Sequence, residues 1–129
     1  MRFRVEGLDH VAIAVGDQRS SEEWYREVLG LEREHADAWG DTPVALMAEG
    51  SGVALFGSGP SGKATVGLRH IAFRVDRDNF EAAQEELRRR GIGFEFQDHG
   101  VSHSVYFQDP DGFQLELTTY DVGLAQPDE

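Results

Sequence analysis

Apolar and polar residues alternate along LDHVAIAV, residues 8–15, and again sixty positions later along LRHIAFRV, residues 68–75. Val11, Ile13 and Val15 fall on one face of the first segment, and Ile71, Phe73 and Val75 on the matching face of the second. Period-two patterns rich in β-branched and aromatic residues predict half-buried strands. A helix signal follows each one. SSEEWYREVLG has Ser20 and Glu23 at capping-box spacing, a core-facing strip of Trp24, Val28 and Leu29, and Gly30 as the stop. DNFEAAQEELRRRG repeats the scheme with Asp78 and Glu81, then Phe80, Ala83 and Leu87, then Gly91.

Three strand-like pieces come after each helix. They lie at about 31–39, 43–49 and 52–56 in the first copy, with a Gly-Ser-Gly turn at 50–52, and at about 92–98, 102–108 and 113–119 in the second. The segment 57–67, GSGPSGKATVG, is a linker by composition, and the tail after Tyr120 is expected to be loosely ordered. The expected fold is α+β, with mixed sheets. Two tandem βαβββ modules, about 8–56 and 68–119, make one domain over residues 1–129.

Composition changes this picture little. A chain of 129 residues with 40% apolar content suits one compact domain with a real core. Its net charge of −12, from 24 acidic and 12 basic residues, repels phosphate backbones and argues against nucleic acid as a partner. With no cysteine, disulfides and thiolate chemistry are excluded. No apolar run is long enough to span a membrane, and MRFRVEG does not resemble a signal peptide, so a cytoplasmic location is expected.

Alternation also places the chemistry. If Val11, Ile13 and Val15 face the helix, His10, Ala12 and Ala14 face away, and His70 and Ala72 do likewise in the second copy. The imidazoles then sit beside small alanines that leave room for a cavity. Pro110-Asp111-Gly112 suits a three-residue hairpin loop with a G1 bulge. That turn sets Asp109 opposite Phe113, Phe107 opposite Leu115 and Tyr106 opposite Glu116. Phe113, Leu115 and Leu117 form the apolar face, with Glu116 and Tyr106 on the other. His10, His70 and Glu116 are thus three ligand types on non-helix faces. Two imidazoles and a carboxylate with open positions suit Fe(II), Zn or Mn. The repeat puts Leu55 where a second carboxylate would stand, so three protein ligands are expected rather than four.

DHVAIAV, RHIAFRV and above all SVYFQDPDGFQLEL resemble the vicinal oxygen chelate superfamily over about residues 8–120. Its members include glyoxalase I, extradiol dioxygenases, fosfomycin-resistance enzymes and bleomycin-binding proteins. The resemblance implies that the modules form a cup-shaped mixed sheet, helices outside, around a divalent metal (Fe(II), Mn or Zn) held by His10, His70 and Glu116. It implies a metal-dependent enzyme acting on a small-molecule substrate with vicinal oxygens, by ring-cleaving dioxygenase-like or isomerase- or transferase-like chemistry. The alternative is a metal-free, antibiotic-type binding protein using the same cup. A homodimer is also implied. Leu55 departs from the usual glyoxalase I ligand set, and Ala12 from the threonine that fosfomycin thiol transferases favour there. On this resemblance Tyr106 would hydrogen-bond the substrate or act as an acid. His103 and His99, in DHGVSH, would be proton shuttles at the rim, although alternation sets His103 on the face opposite Tyr106. Trp39 and Met47 are candidates to line the cup.

Overall fold

A computed structural model describes residues 2–57, 67–110 and 112–123. Most of the linker, Asp111 and the tail from 124 lie outside the described residues. In chain order the elements are β1 (Gly7–Ala14), α1 (Gln18–Leu29), β2 (Glu32–Glu34), α2 (Ala36–Trp39), β3 (Val44–Ala48), β4 (Ser51–Phe56), β5 (Gly67–Arg74), α3 (Arg77–Arg89), β6 (Glu95–Asp98), β7 (His103–Gln108) and β8 (Gln114–Thr119). The strands β2-β3-β4-β1 run side by side, antiparallel except for the parallel β1–β4 pair, and β6-β7-β8 form an antiparallel run, in the α+β arrangement expected. Contacts divide the chain into two compact units, Leu8–Ala72 and Met1–Gly7 with Phe73–Glu129. Among the described residues, no helix is long and apolar enough to cross a membrane.

In the first unit the core is Val44, Leu46 and Leu55, packed by Ile13, Val15, Tyr25, Leu31 and Val53. The helix strip expected here is rotated. Trp24, Val28 and Leu29 are 52%, 58% and 56% exposed, while Gln18, Ser21, Glu22 and Tyr25 are half-buried. Polar anchors set that rotation: the Gln18 amide donates to Leu55 O and to Asp41 O, both at 2.8 Å, and Glu22 pairs with Arg33. The N-cap is Asp17, whose carboxylate accepts from Ser20 N, rather than Ser20 itself. Gly30 ends the helix in the left-handed region as expected. The first post-helix strand is short, because His35 turns left-handed at φ 63° and starts α2. Trp39 therefore belongs to a helical turn, its ring tilted against that of His35 with centres 4.6 Å apart. Ala48 pairs with Ser51, so the β3–β4 loop is Glu49-Gly50, both at positive φ, one step before the expected turn.

In the second unit Val75, Phe80, Ala83, Val105 and Leu117 form the core, with Phe3, Phe73, Phe94 and Phe107 against it. The α3 strip Phe80, Ala83 and Leu87 is buried as expected, behind an Asp76 cap. The last hairpin has the expected register, Phe107 opposite Leu115 and Tyr106 opposite Glu116. Phe113 keeps that register, Asp109 N donating to its carbonyl at 3.0 Å, but its side chain is 57% exposed rather than part of a buried apolar face.

The pattern did not point to Glu86, a buried carboxylate on α3. Hydrogen bonds from Arg89, and next from Arg90, hold its carboxyl down at about 2. A carboxylate depressed in the folded state stabilises above its unfolded value and loses that contribution as pH falls. Wild type should therefore exceed Glu86→Gln in urea midpoint by a constant margin above about pH 5, and the margin should close between about pH 4.5 and about 2. A margin that stays flat through that window would show that the arginines do not hold the carboxylate.

Candidate metal centre

His10 on β1 and His70 on β5 both belong to the first unit, and both are half-buried. Their ring centres are 5.5 Å apart at 75°. His10 Nδ1 donates to Asp9 Oδ2 at 2.7 Å, and Asp9 is 0% exposed. A carboxylate on one ring nitrogen fixes the tautomer and leaves Nε2 as the ligand atom. Asp9 was missed in the sequence, although an aspartate one step before a histidine in an apolar strand was the available signal. The Phe56 ring lies 6.4 Å from that of His70, edge to face. The alanines beside the histidines are more enclosed than expected: Ala12, Ala14 and Ala72 are all buried.

In the second unit Glu116 on β8 is buried. Ser104 Oγ donates to Glu116 Oε2 at 2.6 Å and lies 3.1 Å from Thr118 Oγ1. Serine has one proton and a carboxylate only accepts, so that proton goes to Glu116 and Thr118 donates to Ser104. Tyr106, the cross-strand neighbour of Glu116, has its phenol pushed above the ordinary range by burial, with the Glu116 charge adding to it. It is therefore a hydrogen-bond donor at neutral pH. His99 Nε2 lies 2.9 Å from the Tyr106 hydroxyl, in a loop tied by Gly100 N to Asp98 Oδ1 and by His99 N to Ser102 O.

His103 does not join this group. It alternates with Tyr106 and shares the face of Val105, where Arg77 of α3 donates to its Nδ1 at 2.9 Å. An arginine can only donate, so Nδ1 accepts and Nε2 carries the proton, 3.5 Å from Asp98 Oδ1. The expected shuttle is a link between helix and strand on the core face. His99 is the histidine that reaches Tyr106.

The repeat can now be aligned by backbone bonds. Val15 N donates to Phe56 O in one unit, and Val75 N to Thr118 O in the other. Phe56 thus corresponds to Thr118, and Ala54, two residues back, corresponds to Glu116. The expected equivalent, Leu55, instead packs in the α1-side core. The insertion is two residues by this point in the chain, not one. Alanine offers no ligand atom, so no second carboxylate stands at the equivalent position, as with Leu55.

His10, His70 and Glu116 each offer one ligand atom of a kind that a metal ion takes. Two neutral imidazoles and a carboxylate, one imidazole oriented through Asp9, are a donor set that fits a divalent transition metal.

Residues 7–117 match the family described as Glyoxalase/Bleomycin resistance protein/Dioxygenase superfamily. Glutathione transferase FosA of Serratia marcescens is 30% identical over 88% of this chain and 80% of its own. Methylmalonyl-CoA epimerase from Mycobacterium tuberculosis superposes with a TM-score of 0.70 at 28% identity, covering 89% of this chain and 88% of that one. The 2,3-dioxygenase LapB from Pseudomonas sp. KL28 shares the fold with a TM-score of 0.74 at 21% identity; the match covers 92% of this chain and 42% of LapB.

Proposed function

Because the chain belongs to the Glyoxalase/Bleomycin resistance protein/Dioxygenase superfamily, we propose that it is a metal-dependent enzyme acting on a small molecule with vicinal oxygens. His10, His70 and Glu116 hold a divalent ion, Fe(II), Mn or Zn. The observation that carries this reading is the pair of imidazoles 5.5 Å apart in the first unit, one of them oriented by the buried Asp9 carboxylate. That FosA and the epimerase are enzymes by name supports catalysis over ligand storage. Such an ion acts as a Lewis acid toward adjacent substrate oxygens.

The chain's own residues do the rest. Asp9 holds His10 in one tautomer, and Ser104 fixes the Glu116 carboxylate by its Oε2. Tyr106, protonated at neutral pH, donates a hydrogen bond to oxygen on which negative charge develops. His99 bonds the same hydroxyl and sets its direction. With a metal held there, the chemistry would be ring-cleaving dioxygenase-like or isomerase- or transferase-like. A cytoplasmic homodimer belongs to the same reading, its oligomeric state being readable by light scattering.

Protein purified without chelator should carry close to one equivalent of a transition metal by elemental analysis. Less than about a tenth of an equivalent, with no uptake of added Fe(II), Mn(II) or Zn(II), would favour the metal-free binding protein instead.

A further inference from the structure

Arg69 immediately precedes His70 on β5 and is exposed. Its guanidinium lies over the Phe56 ring, 4.5 Å from the ring centre. Phe56 in turn touches His70 edge to face, so guanidinium, phenyl and the two imidazoles form one continuous row within the first unit. A guanidinium held by its face on a ring keeps its in-plane N–H donors available and ordered, the geometry that receives a carboxylate by two parallel bonds.

Among the described residues those donors are not taken up by a carboxylate, which is also true of Arg88 over Phe94; what sets Arg69 apart is that its row ends on His70 and His10. Arg26, Arg33, Arg74, Arg77, Arg89 and Arg90 are each engaged by a carboxylate. Among the described residues no hydrogen bond or ion pair engages Arg69, although the chain carries 24 acidic side chains. A surface cation serving only solubility has no need of an aromatic seat beside a histidine pair. A protein of net charge −12 also repels anions at long range, so an anionic substrate needs a local cation at the site.

We propose that Arg69, seated on Phe56, is a specificity residue that binds a carboxylate on the substrate, so that the substrate is a small carboxylic acid whose vicinal oxygens face the metal ligands. The inference rests on the metal reading given above. Phe56 orders the guanidinium, and His70 and His10 lie at the other end of the row.

Zn(II)-loaded protein, which cannot turn over a diol by oxidation, is titrated calorimetrically with catechol and with 3,4-dihydroxybenzoate, the same chelating diol with and without a carboxylate. Wild type should bind the acid more tightly than catechol by about tenfold, the worth of one partly exposed charge-assisted pair. Arg69→Gln should remove that preference and leave the catechol affinity unchanged. Loss of a merely structural role would weaken both probes together, which overturns the proposal. So does a preference that survives in Arg69→Gln, or a wild type indifferent to the carboxylate while still binding catechol. A wild type that takes up no Zn(II) sinks the metal reading and this inference with it.

Discussion

His70→Ala leaves a folded protein that no longer retains metal: content falls from near one equivalent to below about a tenth, with metal affinity reduced by more than the 10–100-fold typical of losing a group that merely orients a ligand. The reason is ligand count. With the imidazole gone, His10 and Glu116 are left, and two protein ligands hold a divalent ion poorly. The fold is spared because His70 is only half-buried and belongs to neither core cluster. The stability cost should stay within about 1–2 kcal/mol, read as a small shift in melting temperature. His70→Asn keeps a polar group in place if the alanine variant misfolds. Affinity that survives both changes would show that His70 is not a ligand, whatever the wild type binds.

Much of this site was legible because strand alternation is a strict rule and the chain states it twice. His10 and His70 had to lie on the face away from Ile13 and Phe73, and both of those pack in the cores. The turn chemistry of Pro110 and Gly112 fixed the Tyr106–Glu116 pair, since a register slip of one residue would turn every side chain over. The failures have equally physical causes. Counting along a repeat assumes a constant offset, whereas hydrogen bonding from Val15 and Val75 reveals a second inserted residue, which replaces Leu55 by Ala54. The rotation expected for α1 rests on apolar spacing, but the helix is set by Gln18 and Glu22, polar groups satisfied by the backbone and Arg33. Side-chain partners such as Asp9 for His10 and Ser104 for Glu116 carry no periodic signal. They emerge only once the strands are placed.

Gly52→Ala should cost about 3 kcal/mol or more and lower the melting temperature by on the order of 10 °C. Gly52 sits in β4 opposite Met47 on one side and His10 on the other. A Cβ there would lie 2.0 Å from Leu46 O, 2.8 Å from Met47 Cα and 2.9 Å from Leu46 C. All three are backbone atoms of β3, so no side-chain rotation relieves the clash and a strand must move. Leu46 is itself core, which carries the displacement into the cluster with Val44 and Leu55. On the other side Gly52 is paired with His10, so the same displacement shifts a proposed ligand. Metal affinity should therefore fall together with stability in Gly52→Ala. Gly93→Ala is the control, because nothing lies within 4 Å of a Cβ there, and it should stay within about 0.5 kcal/mol of wild type. Equal melting of the two variants would mean that β3 does not approach Gly52 so closely, and that the β3–β4 register bordering His10 is wrong.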